Sequence, residues 1–425
     1  GLAAIAMAAG LYLPIGGGIA PAGADPRVPP VQLVESRPVE SGLGDPTLPT
    51  ALDTWLGLIH DARRSLDIEQ FYLSTWPGEP MEDVLAALGR AAARGVHVRL
   101  VLDARMHDTY PRTADSLARV PGFEVRLVDY RRIAGGVQHS KFLLVDGETA
   151  YLGSQNFDWR ALKHIHELGV AVRDRRVAAD FGRVFALDWD MATPIGRTPD
   201  TTRVAFATQT PHAPGTLPYR IVQAPGVTLL LWPSWSPRSF IPDTTLWDRD
   251  RLVALLDGAQ HEVVVQFLTY GLGDRRLHDE TLDQALRRAA ARGVDVRIIA
   301  SDWQGGAGLA ALQQLARVPG IEVKLSTVPE WSGGYVPFAR VEHCKYLVAD
   351  TLFTWVGTSN WSPDYFLATR NLAVTLRDRP LARQARGIFE TSWRAAGAAR
   401  LAPDSTYAPK PHGEETPPGR VRYGG

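Results

Sequence analysis

The fold of this chain is decided by the stretch Gly136-Val137-Gln138-His139-Ser140-Lys141-Phe142-Leu143-Leu144-Val145-Asp146, which continues through Gly147 to Gly153-Ser154-Gln155-Asn156. His139 and Lys141 are two residues apart, so in an extended strand both side chains project from one face. The apolar run that follows predicts a buried strand, and Asp146-Gly147 is a hairpin turn signal. Folding back about that turn brings His139 opposite Ser154, with Asn156 close by. An imidazole, an ammonium, a hydroxyl and an amide therefore converge on a patch that suits a phosphate.

The same pattern occurs a second time, as Val341-Glu342-His343-Cys344-Lys345-Tyr346-Leu347-Val348-Ala349-Asp350 followed by Gly357-Thr358-Ser359-Asn360. The intervals from His to Lys, from Lys to Asp, from Asp to Gly and from Gly to Asn are identical in the two copies. One His-x-Lys is a weak signal, but two copies that agree at every key position are not chance. Each half of the chain therefore carries one copy of the site.

Further repeats indicate that the two halves are duplicated. The segment Ala91-Ala92-Ala93-Arg94-Gly95-Val96 recurs as Ala289-Ala290-Ala291-Arg292-Gly293-Val294, and Leu117-Ala118-Arg119-Val120-Pro121-Gly122 recurs at the same displacement as Leu315-Ala316-Arg317-Val318-Pro319-Gly320. Each half alternates strand and helix signals, which indicates an α/β fold with helices on both faces of a mixed sheet. We predict two duplicated α-β-α sandwich lobes, with one active site at their pseudo-twofold interface.

The domain boundaries follow from local composition. A linker is indicated at 194–218, because this segment is rich in Pro, Thr and Gly and lacks apolar periodicity. We predict the first lobe at 26–205 and the second at 206–400. The Pro/Gly-rich segment 401–425 is predicted to be a disordered tail.

The first 25 residues differ from the rest of the chain. Leu2 to Leu13 is apolar and rich in small residues, but it is too short to indicate a membrane span. The tripeptide Ala22-Gly23-Ala24 fits a small-x-small cleavage site. We predict that residues 1–25 are a signal peptide remnant or an N-terminal anchor, and that the protein is exported.

The overall composition is that of a soluble globular protein with two domains. The chain has 425 residues, 46 basic and 46 acidic, so its formal net charge is zero. This balance gives no general attraction to nucleic acid or anionic lipid, although it is compatible with a local basic cleft. The lone cysteine, Cys344, excludes an intramolecular disulfide. Strand alternation turns its side chain away from those of His343 and Lys345 and into the core.

The two histidines can divide the chemistry of a phosphodiester between them. Cleavage needs a nucleophile, a proton donor for the leaving oxygen, and groups that take up the equatorial charge. His139 and His343 can supply the first two, and Lys141 and Lys345 supply point charges. An ammonium two residues from each imidazole would repel a cation, so no metal and no cofactor is predicted.

Four further side chains are predicted to bind the substrate phosphate. Asn156 and Asn360 can donate hydrogen bonds to its oxygens, and the hydroxyl groups of Ser154 and Thr358 can add two more donors. All four follow the second strand of each predicted hairpin.

These residues closely resemble the signature of the phospholipase D superfamily, His-x-Lys-x4-Asp-x6-Gly-[Ser/Thr]-x-Asn, which this chain contains twice in full. The resemblance implies attack by one histidine, a covalent phosphohistidine, and its resolution by water or an alcohol. In most members with two motifs the first supplies the nucleophile, which implies His139 as the nucleophile and His343 as the acid/base. Asp146 and Asp350 complete the catalytic motifs. We expect them to support the site as turn formers or ion-pair partners.

The resemblance also extends to a carboxylate outside the motifs. Glu167 stands where many members of the family have a carboxylate that hydrogen-bonds the nucleophilic imidazole, here His139, and fixes its tautomer. Its counterpart in the second half is Asn371, so this support is asymmetric. His164 and His166, which closely precede Glu167, are interpreted as surface or supporting residues.

A closer resemblance, to the animal lysosomal branch of the family, covers about Val31 to Trp393. It is carried by Trp55-Leu56-Gly57-Leu58, Ser65-Leu66-Asp67-Ile68, Tyr151-Leu152-Gly153-Ser154-Gln155-Asn156-Phe157-Asp158-Trp159-Arg160 and Gly357-Thr358-Ser359-Asn360-Trp361-Ser362. That branch comprises 5′-exonucleases of single-stranded DNA and RNA, and lipid transphosphatidylation is also ascribed to it. Its animal members carry disulfides and a transmembrane anchor, whereas this chain has a single cysteine.

The sequence therefore leads to three hypotheses for the function. The first is a phosphodiesterase that digests single-stranded nucleic acid from its 5′ end. The second is a phospholipid hydrolase or transphosphatidylase, similar to phospholipase D or cardiolipin synthase. The third is a catalytically inactive phosphate-binding protein, which the two intact motifs oppose. No obligate protein partner is indicated. We expect a monomer, with a homodimer as the alternative.

Tryptophans near the motifs bear on the choice of substrate. Trp303 and Trp331 fall on predicted rim loops, where they could stack on nucleobases or contact acyl chains. Trp159 and Trp361 follow the two Asn residues that end the motifs. For these two, a place in the core is favoured.

Overall fold

The computed structural model describes residues 28–197 and 208–424. The predicted signal peptide remnant or anchor at 1–25 lies outside the described residues, as does the predicted boundary between the lobes at 205/206. Within the two described ranges, no helix combines the length and the apolar character that are needed to cross a membrane.

The first lobe contains the elements between Val31 and Pro194. Within the described residues its strands are β1 (Val31–Ser36), β2 (Ser65–Gln70), β3 (Leu73–Ser74), β4 (His97–Asp103), β5 (Phe123–Val128), β6 (Phe142–Val145), β7 (Thr149–Gly153), β8 (Phe157–Asp158), β9 (Glu167–Val172) and β10 (Thr193–Pro194). Its helices are α1 (Ala51–Asp61), α2 (Met81–Ala93), α3 (Ala104–Thr109), α4 (Pro111–Leu117), α5 (Tyr130–Ala134) and α6 (Arg175–Met191).

The second lobe contains the elements between Tyr219 and Arg400. Within the described residues its strands are β11 (Tyr219–Ala224), β12 (Val227–Ser236), β13 (Glu262–Phe267), β14 (Asp295–Ser301), β15 (Ile321–Ser326), β16 (Tyr346–Ala349), β17 (Phe353–Gly357), β18 (Asn371–Arg377) and β19 (Ala398–Arg400). Its helices are α7 (Asp248–Gly258), α8 (Thr281–Ala291), α9 (Gly306–Leu315), α10 (Pro363–Leu367) and α11 (Arg379–Arg394).

The two main sheets have the same topology. In the described residues the strand order is β1-β9-β7-β6-β2-β4-β5-β10 in the first sheet and β11-β12-β18-β17-β16-β13-β14-β15-β19 in the second. Each strand of the first sheet has a counterpart in the second, which adds only the edge strand β11. In both sheets, three parallel strands adjoin an antiparallel set. The predicted α/β fold of two duplicated lobes is confirmed.

Helices cover both faces of each sheet. Apolar residues of α1 and α2 pack on the outer face of the first sheet, and those of α7, α8 and α9 pack on the second. On the inner faces, α6 residues such as Phe181 and α11 residues such as Ile388 share one core with Phe142 of β6 and Tyr346 of β16. Because the hydrophobic effect scales with the apolar area buried, this shared core holds the lobes together and fixes the seam between them.

The hairpin that carries each motif is formed as predicted. Val145 of β6 pairs with Thr149 of β7 across the turn. Asp146 and Gly147 have φ angles of 54° and 66°, the left-handed values that the central residues of a type I′ turn require. Asp350 in the second lobe also has a φ of 54°. The backbone angles that the turn residues adopt thus set the register of both hairpins.

The prediction of a disordered tail at 401–425 is wrong for the described residues 401–424, which pack on both lobes. The His412 ring stacks on Trp303 of the second lobe, with 4.2 Å between the ring centroids. The Tyr423 hydroxyl donates a hydrogen bond of 2.7 Å to Glu79 of the first lobe. Local composition failed here because a few separated aromatic side chains and backbone groups find partners on the lobes. We call residues 401–424 the C-terminal strap.

Candidate active site

One cleft between the lobes contains both histidines. His139 of the first lobe and His343 of the second line a cavity of about 440 Å³. Asn156 and Asn360, the last residues of the two motifs, line the same cavity. The carboxamide Oδ1 atoms of both asparagines are buried and have no hydrogen-bond partner among the described residues. These four side chains are the predicted site residues that the structure brings together around open space.

Backbone hydrogen bonds across the seam position the histidines. The His139 N–H donates to the carbonyl of Arg370 in the second lobe at 2.9 Å. The His343 N–H donates to the carbonyl of His166 in the first lobe, also at 2.9 Å. Each imidazole is therefore anchored to the opposite lobe through its own main chain. The position of one ring relative to the other is set by the packing of the two lobes.

The Nδ1 atom of each imidazole also contacts the opposite lobe. Glu167 Oε2 lies 2.8 Å from His343 Nδ1, and Asn371 Oδ1 lies 3.0 Å from His139 Nδ1. The predicted asymmetry between a carboxylate and an amide is present. However, the prediction that Glu167 supports His139 is wrong, because the partners cross the seam and the carboxylate contacts His343. Local sequence could not reveal this exchange, since it depends on how the lobes pack.

The two lysines lie behind the histidines. Lys141 Nζ donates to the carbonyl of His139 at 2.7 Å, and Lys345 Nζ donates to the carbonyl of His343 at the same distance. Both lysines are fully buried. Burial lowers the pKa of both ammonium groups, to about 7 for Lys345, and the charge of Lys345 lowers the pKa of Lys141 further. In its charged form, each ammonium group places positive potential beneath the cleft.

The surroundings of both imidazoles favour the neutral form. Burial, followed by the charges of Lys141 and Lys345, lowers the pKa of His139 well below its usual value. The pKa of His343 is lowered by the same three causes and by His139. Burial also raises the pKa of the Glu167 carboxyl, to about 8, against the opposing charge of Lys345. A neutral imidazole has the free Nε2 lone pair that a nucleophile needs.

Ser154 and Thr358 do not reach the cleft, in contrast to their prediction as phosphate ligands. Both are fully buried. The Ser154 hydroxyl accepts from the N–H of Leu168 at 3.1 Å and lies near Glu167, whose pKa it lowers. The Thr358 hydroxyl donates to Asn371 Oδ1 at 2.8 Å. Both hydroxyls therefore orient the group that contacts an imidazole.

Asp146 and Asp350 likewise support the fold from a distance. The Asp146 carboxylate accepts from the N–H groups of Arg63, Arg64 and Ser65, at 2.7 to 2.9 Å. Asp350 accepts in the same way from three consecutive N–H groups that begin at residue 260. Each aspartate thus ties its hairpin turn to the start of the neighbouring strand. Their grouping with the catalytic residues is corrected, and the expectation that they are turn formers agrees with these contacts.

Aromatic residues that were not predicted form much of the cleft wall. The edges of Phe71 and Tyr365 meet the His139 ring, with centroids 4.9 and 5.1 Å away. The remaining aromatic wall residues are Tyr72, Tyr110, Trp303 and Phe338. Of these, only Trp303 was considered as a rim residue. The sequence signal that was available for Phe71 and Tyr72 is their position directly after β2, which pairs with β6, the strand that follows His139.

Two buried ionic contacts join the lobes beneath the site. The Arg370 guanidinium makes two hydrogen bonds to Asp188, of 2.7 and 2.9 Å. His166 lies between Glu342 and Glu35, at 2.5 and 2.9 Å. Burial opposes the charged imidazole, but the two carboxylates outweigh it and raise the pKa of His166 to about 10. His166 and Arg370 directly precede Glu167 and Asn371, so they hold in place the segments that contact the imidazoles.

One buried cluster offers the donor types of a metal site. Ligand atoms of His166, Glu342 and Cys344 lie within 4.8 Å of one another. Both ring nitrogens of His166 are already hydrogen-bonded to carboxylates, which leaves the ring no free lone pair. Burial raises the pKa of the Cys344 thiol, which disfavours the thiolate that metals bind. The cluster therefore fits an ionic bridge between the lobes and does not fit a metal.

The duplicated fold and the cleft with two histidines define a phosphodiesterase or phosphoryl-transfer enzyme. A family model described as "Cardiolipin synthase, PLD-like domain" matches residues 56–189 and 252–393. The chain therefore belongs to the phospholipase D superfamily.

Curated relatives match most of the chain. Phospholipase D Z of Dictyostelium discoideum is 30% identical over 86% of this chain and 89% of its own length. The 5′-3′ exonuclease PLD4 of Mus musculus is 32% identical over 85% of this chain and 77% of its own length. The 5′-3′ exonuclease PLD3 of Pongo abelii is 33% identical over 85% and 78%. The predicted superfamily, and within it the resemblance to the animal branch, are confirmed.

The fold itself is shared with more distant solved structures. The phosphatidylserine synthase of Haemophilus influenzae superposes with a TM-score of 0.63, over 88% of both chains, at 13% sequence identity. A polyphosphate kinase from Porphyromonas gingivalis superposes with a TM-score of 0.52, over 91% of this chain and 51% of its own. At such low identity these likenesses concern the fold alone.

Proposed function

We propose that the protein is a phosphodiesterase that works through a covalent phosphohistidine and removes nucleotides from the 5′ end of single-stranded nucleic acid. The observation that carries the chemistry is the pair of imidazoles from opposite lobes that line one cleft, each with its Nδ1 contacted by the other lobe. The choice of substrate is supported by the relatives named 5′-3′ exonucleases, which match this chain over 85% of its length.

The roles of the two histidines follow from their Nδ1 partners. A phosphohistidine carries positive charge on its ring. That charge favours the ionised form of a carboxyl group at Nδ1, and the carboxylate then stabilises the ring better than an amide does. Glu167 contacts His343, whereas Asn371 contacts His139. We therefore assign His343 as the nucleophile and His139 as the acid/base, the reverse of what the order of the motifs implies.

The proposed reaction has two steps. Nε2 of neutral His343 attacks phosphorus, the P–O bond to the leaving oxygen breaks, and protonated His139 gives that oxygen its proton. Neutral His139 then takes a proton from water as the water oxygen attacks phosphorus and the P–N bond breaks. Both imidazoles return to their starting protonation states.

Fixed charges and amides stabilise the transition state in this scheme. The Lys141 and Lys345 ammonium groups provide positive potential beneath the cleft, where a low dielectric strengthens it. The Asn156 and Asn360 amides are placed to donate hydrogen bonds to the equatorial oxygens. A bound phosphate would favour the charged lysines and oppose the burial that lowers their pKa values.

Location and assembly belong to the same proposal. The apolar stretch from Leu2 to Leu13 and the small-x-small site at residues 22–24 support export from the cytoplasm. The substrate class is a phosphodiester, and a monomer suffices because both histidines come from one chain. A homodimer is compatible with this arrangement.

The proposal is tested by supplying two substrates to the purified enzyme in EDTA. A single-stranded oligonucleotide with a 5′-hydroxyl and a 3′-fluorophore is expected to lose mononucleotides in order from its 5′ end. Phosphatidylglycerol vesicles with an alcohol acceptor are expected to give no phosphatidyl alcohol. The reverse pattern would contradict the nucleic-acid proposal in favour of a lipid enzyme, and activity on neither would support a binding protein.

The assignment of the two histidines has its own test. With an activated ester, whose leaving group needs no proton, His139→Ala should still form a phosphoenzyme and His343→Ala should not. Mass spectrometry of the quenched protein locates the adduct. A phosphoenzyme in His343→Ala alone would contradict the assignment and favour His139 as the nucleophile.

A further inference from the structure

A second cavity of about 220 Å³ adjoins the catalytic cleft. Tyr110, Arg160 and Glu414 line both spaces, so the two are contiguous. Aromatic side chains dominate the walls of the smaller space: Trp76 and Trp159 come from the first lobe. We call this space the aromatic pocket.

The C-terminal strap completes the aromatic pocket. Tyr423 contributes one wall, with its ring centroid 6.0 Å from that of Trp159. Arg422 holds the strap in a closed loop, because its guanidinium donates to the Glu414 carbonyl at 2.7 Å and to the Glu414 carboxylate at 2.5 Å. The pocket thus exists only because the strap returns to the first lobe.

The rings are arranged so that a flat ligand can reach them. Trp159 is 6% exposed, whereas Trp76 is 40% exposed. Their centroids are 6.3 Å apart at an interplanar angle of 36°. Exposure of a large aromatic side chain beside an active site is a signal of ligand binding, because burial of such a ring is otherwise favourable.

Polar groups in the aromatic pocket favour a ligand with hydrogen-bonding edges. The charged side chains of Arg160, Arg422 and Glu414 line this pocket. The Arg160 guanidinium lies 5.8 Å from the Trp159 ring and 5.9 Å from the Tyr110 ring. An acyl chain would take these charged groups out of water without satisfying them, which costs free energy. A heterocycle can stack on the rings and direct its polar edge to these groups.

We propose that the aromatic pocket binds one nucleobase of the single strand whose phosphodiester lies at the two histidines. The inference rests on the proposed function and adds a subsite to it. Stacking on aromatic side chains tolerates every base, because each base has a π-face. The subsite therefore improves binding of the strand without selecting its sequence, and it depends on Trp76 and Tyr423.

An abasic scan tests this subsite. Oligonucleotides with a 5′-hydroxyl are prepared with one abasic residue at the first, second, third or fourth position, and kcat/KM for the first release is measured. For the wild-type enzyme, one position should lower kcat/KM by about tenfold, because one stacking contact is lost. On the intact strand, Trp76→Ala should lower kcat/KM by a similar factor. Placing the abasic residue at the sensitive position should then lower the kcat/KM of Trp76→Ala no further.

Matched variants separate recognition from folding. Trp76→Phe should have a kcat/KM between those of Trp76→Ala and the wild type, and its kcat/KM should again fall when the abasic residue is present. Tyr423→Ala should behave like Trp76→Ala. Trp232→Ala is the control, because Trp232 is partly exposed on the second lobe and lies outside both spaces. It should show the full abasic penalty.

Three results would overturn the inference. The first is an active enzyme with no position-dependent abasic penalty, and the second is a penalty that persists unchanged in Trp76→Ala and Tyr423→Ala. The third is a loss of phosphatidylglycerol hydrolysis in Trp76→Ala without any abasic penalty, which would assign the pocket to an acyl chain. If the wild-type enzyme cuts no oligonucleotide, the proposed function fails and the subsite fails with it.

Discussion

Glu167 of the first lobe lies 2.8 Å from Nδ1 of His343 in the second lobe. The equivalent contact on the other imidazole is made by an amide, since Asn371 Oδ1 lies 3.0 Å from His139 Nδ1. Two duplicated lobes have therefore exchanged the groups that orient their histidines. Neither lobe contains a complete site, and the two histidines are chemically unequal.

This relationship predicts the effect of removing one carboxylate. Glu167→Gln keeps the shape of the side chain but loses the charge that stabilises a phosphorylated His343. We expect the rate of phosphoenzyme formation to fall by on the order of a hundredfold, with little change in KM. Rapid-quench measurement of the burst with an activated ester checks this. Asn371→Ala is the matched variant, and its burst should be affected less. If the burst rate fell more in Asn371→Ala than in Glu167→Gln, the proposed difference between the two contacts would be contradicted.

The depressed pKa values predict how activity depends on pH. The acid/base His139 must be protonated to act as the acid, and burial with the charges of Lys141 and Lys345 lowers its pKa. The protonated fraction of the free enzyme falls as pH rises, so kcat/KM should decline from acidic to neutral pH. Lys141→Met removes a positive charge, which favours the protonated imidazole, and should move this decline to higher pH even as the rate falls.

Lys324→Met is the control for the pH profile. Lys324 donates to the Trp393 carbonyl and lies outside the cleft lining. Its profile of kcat/KM against pH should match that of the wild type. A decline that stays at the same pH in Lys141→Met would show that this lysine does not set the titration of the cleft.

The aspartates of the two motifs are predicted to contribute to stability more than to catalysis. Asp146→Ala removes the acceptor of three backbone hydrogen bonds and should lower the free energy of unfolding by about 2 kcal/mol. The kcat of the folded variant at low temperature should stay within about threefold of the wild type, because the turn is remote from the cleft. Urea unfolding and steady-state kinetics measure the two quantities. Loss of kcat in a variant of unchanged stability would show that Asp146 is catalytic.

The buried ion pair of Arg370 and Asp188 joins the lobes. The effects of substituting its two members on the free energy of unfolding should therefore be strongly non-additive. Arg370→Met leaves a buried carboxylate without its partner and should cost about 3 to 5 kcal/mol in the free energy of unfolding. The double variant Arg370→Met/Asp188→Leu should cost less than Arg370→Met alone, since no charge is then stranded. Denaturant unfolding of these two variants and of the single variant Asp188→Leu checks this. Additive losses would indicate that the two residues stabilise the protein independently.

Local patterns in the sequence predict the lobes well because each lobe repeats the same local rules. The turn at Asp146-Gly147, with its left-handed φ values, sets the hairpin that carries His139. The identical spacing in the second half predicts the other hairpin and places His343 on it. The α/β class and the pairing of the two histidines follow from these patterns alone.

Contacts between the lobes could not be predicted in the same way. Glu167 belongs to the same lobe as His139 but contacts His343, because the lobe interface decides its partner. The C-terminal strap has the composition of a disordered segment, yet the His412 ring stacks on Trp303. Such contacts join residues that are far apart in the chain, and no local pattern encodes them.

The central claim is that two imidazoles from different lobes act on one phosphorus atom. The most direct measurement is a crystal structure of the enzyme with orthovanadate, which mimics the pentacoordinate phosphorus of the transition state. We predict one vanadium bonded to Nε2 of His343, with an apical oxygen in hydrogen-bond reach of Nε2 of His139. Vanadate held by a single lobe, beyond reach of the other imidazole, would contradict the account.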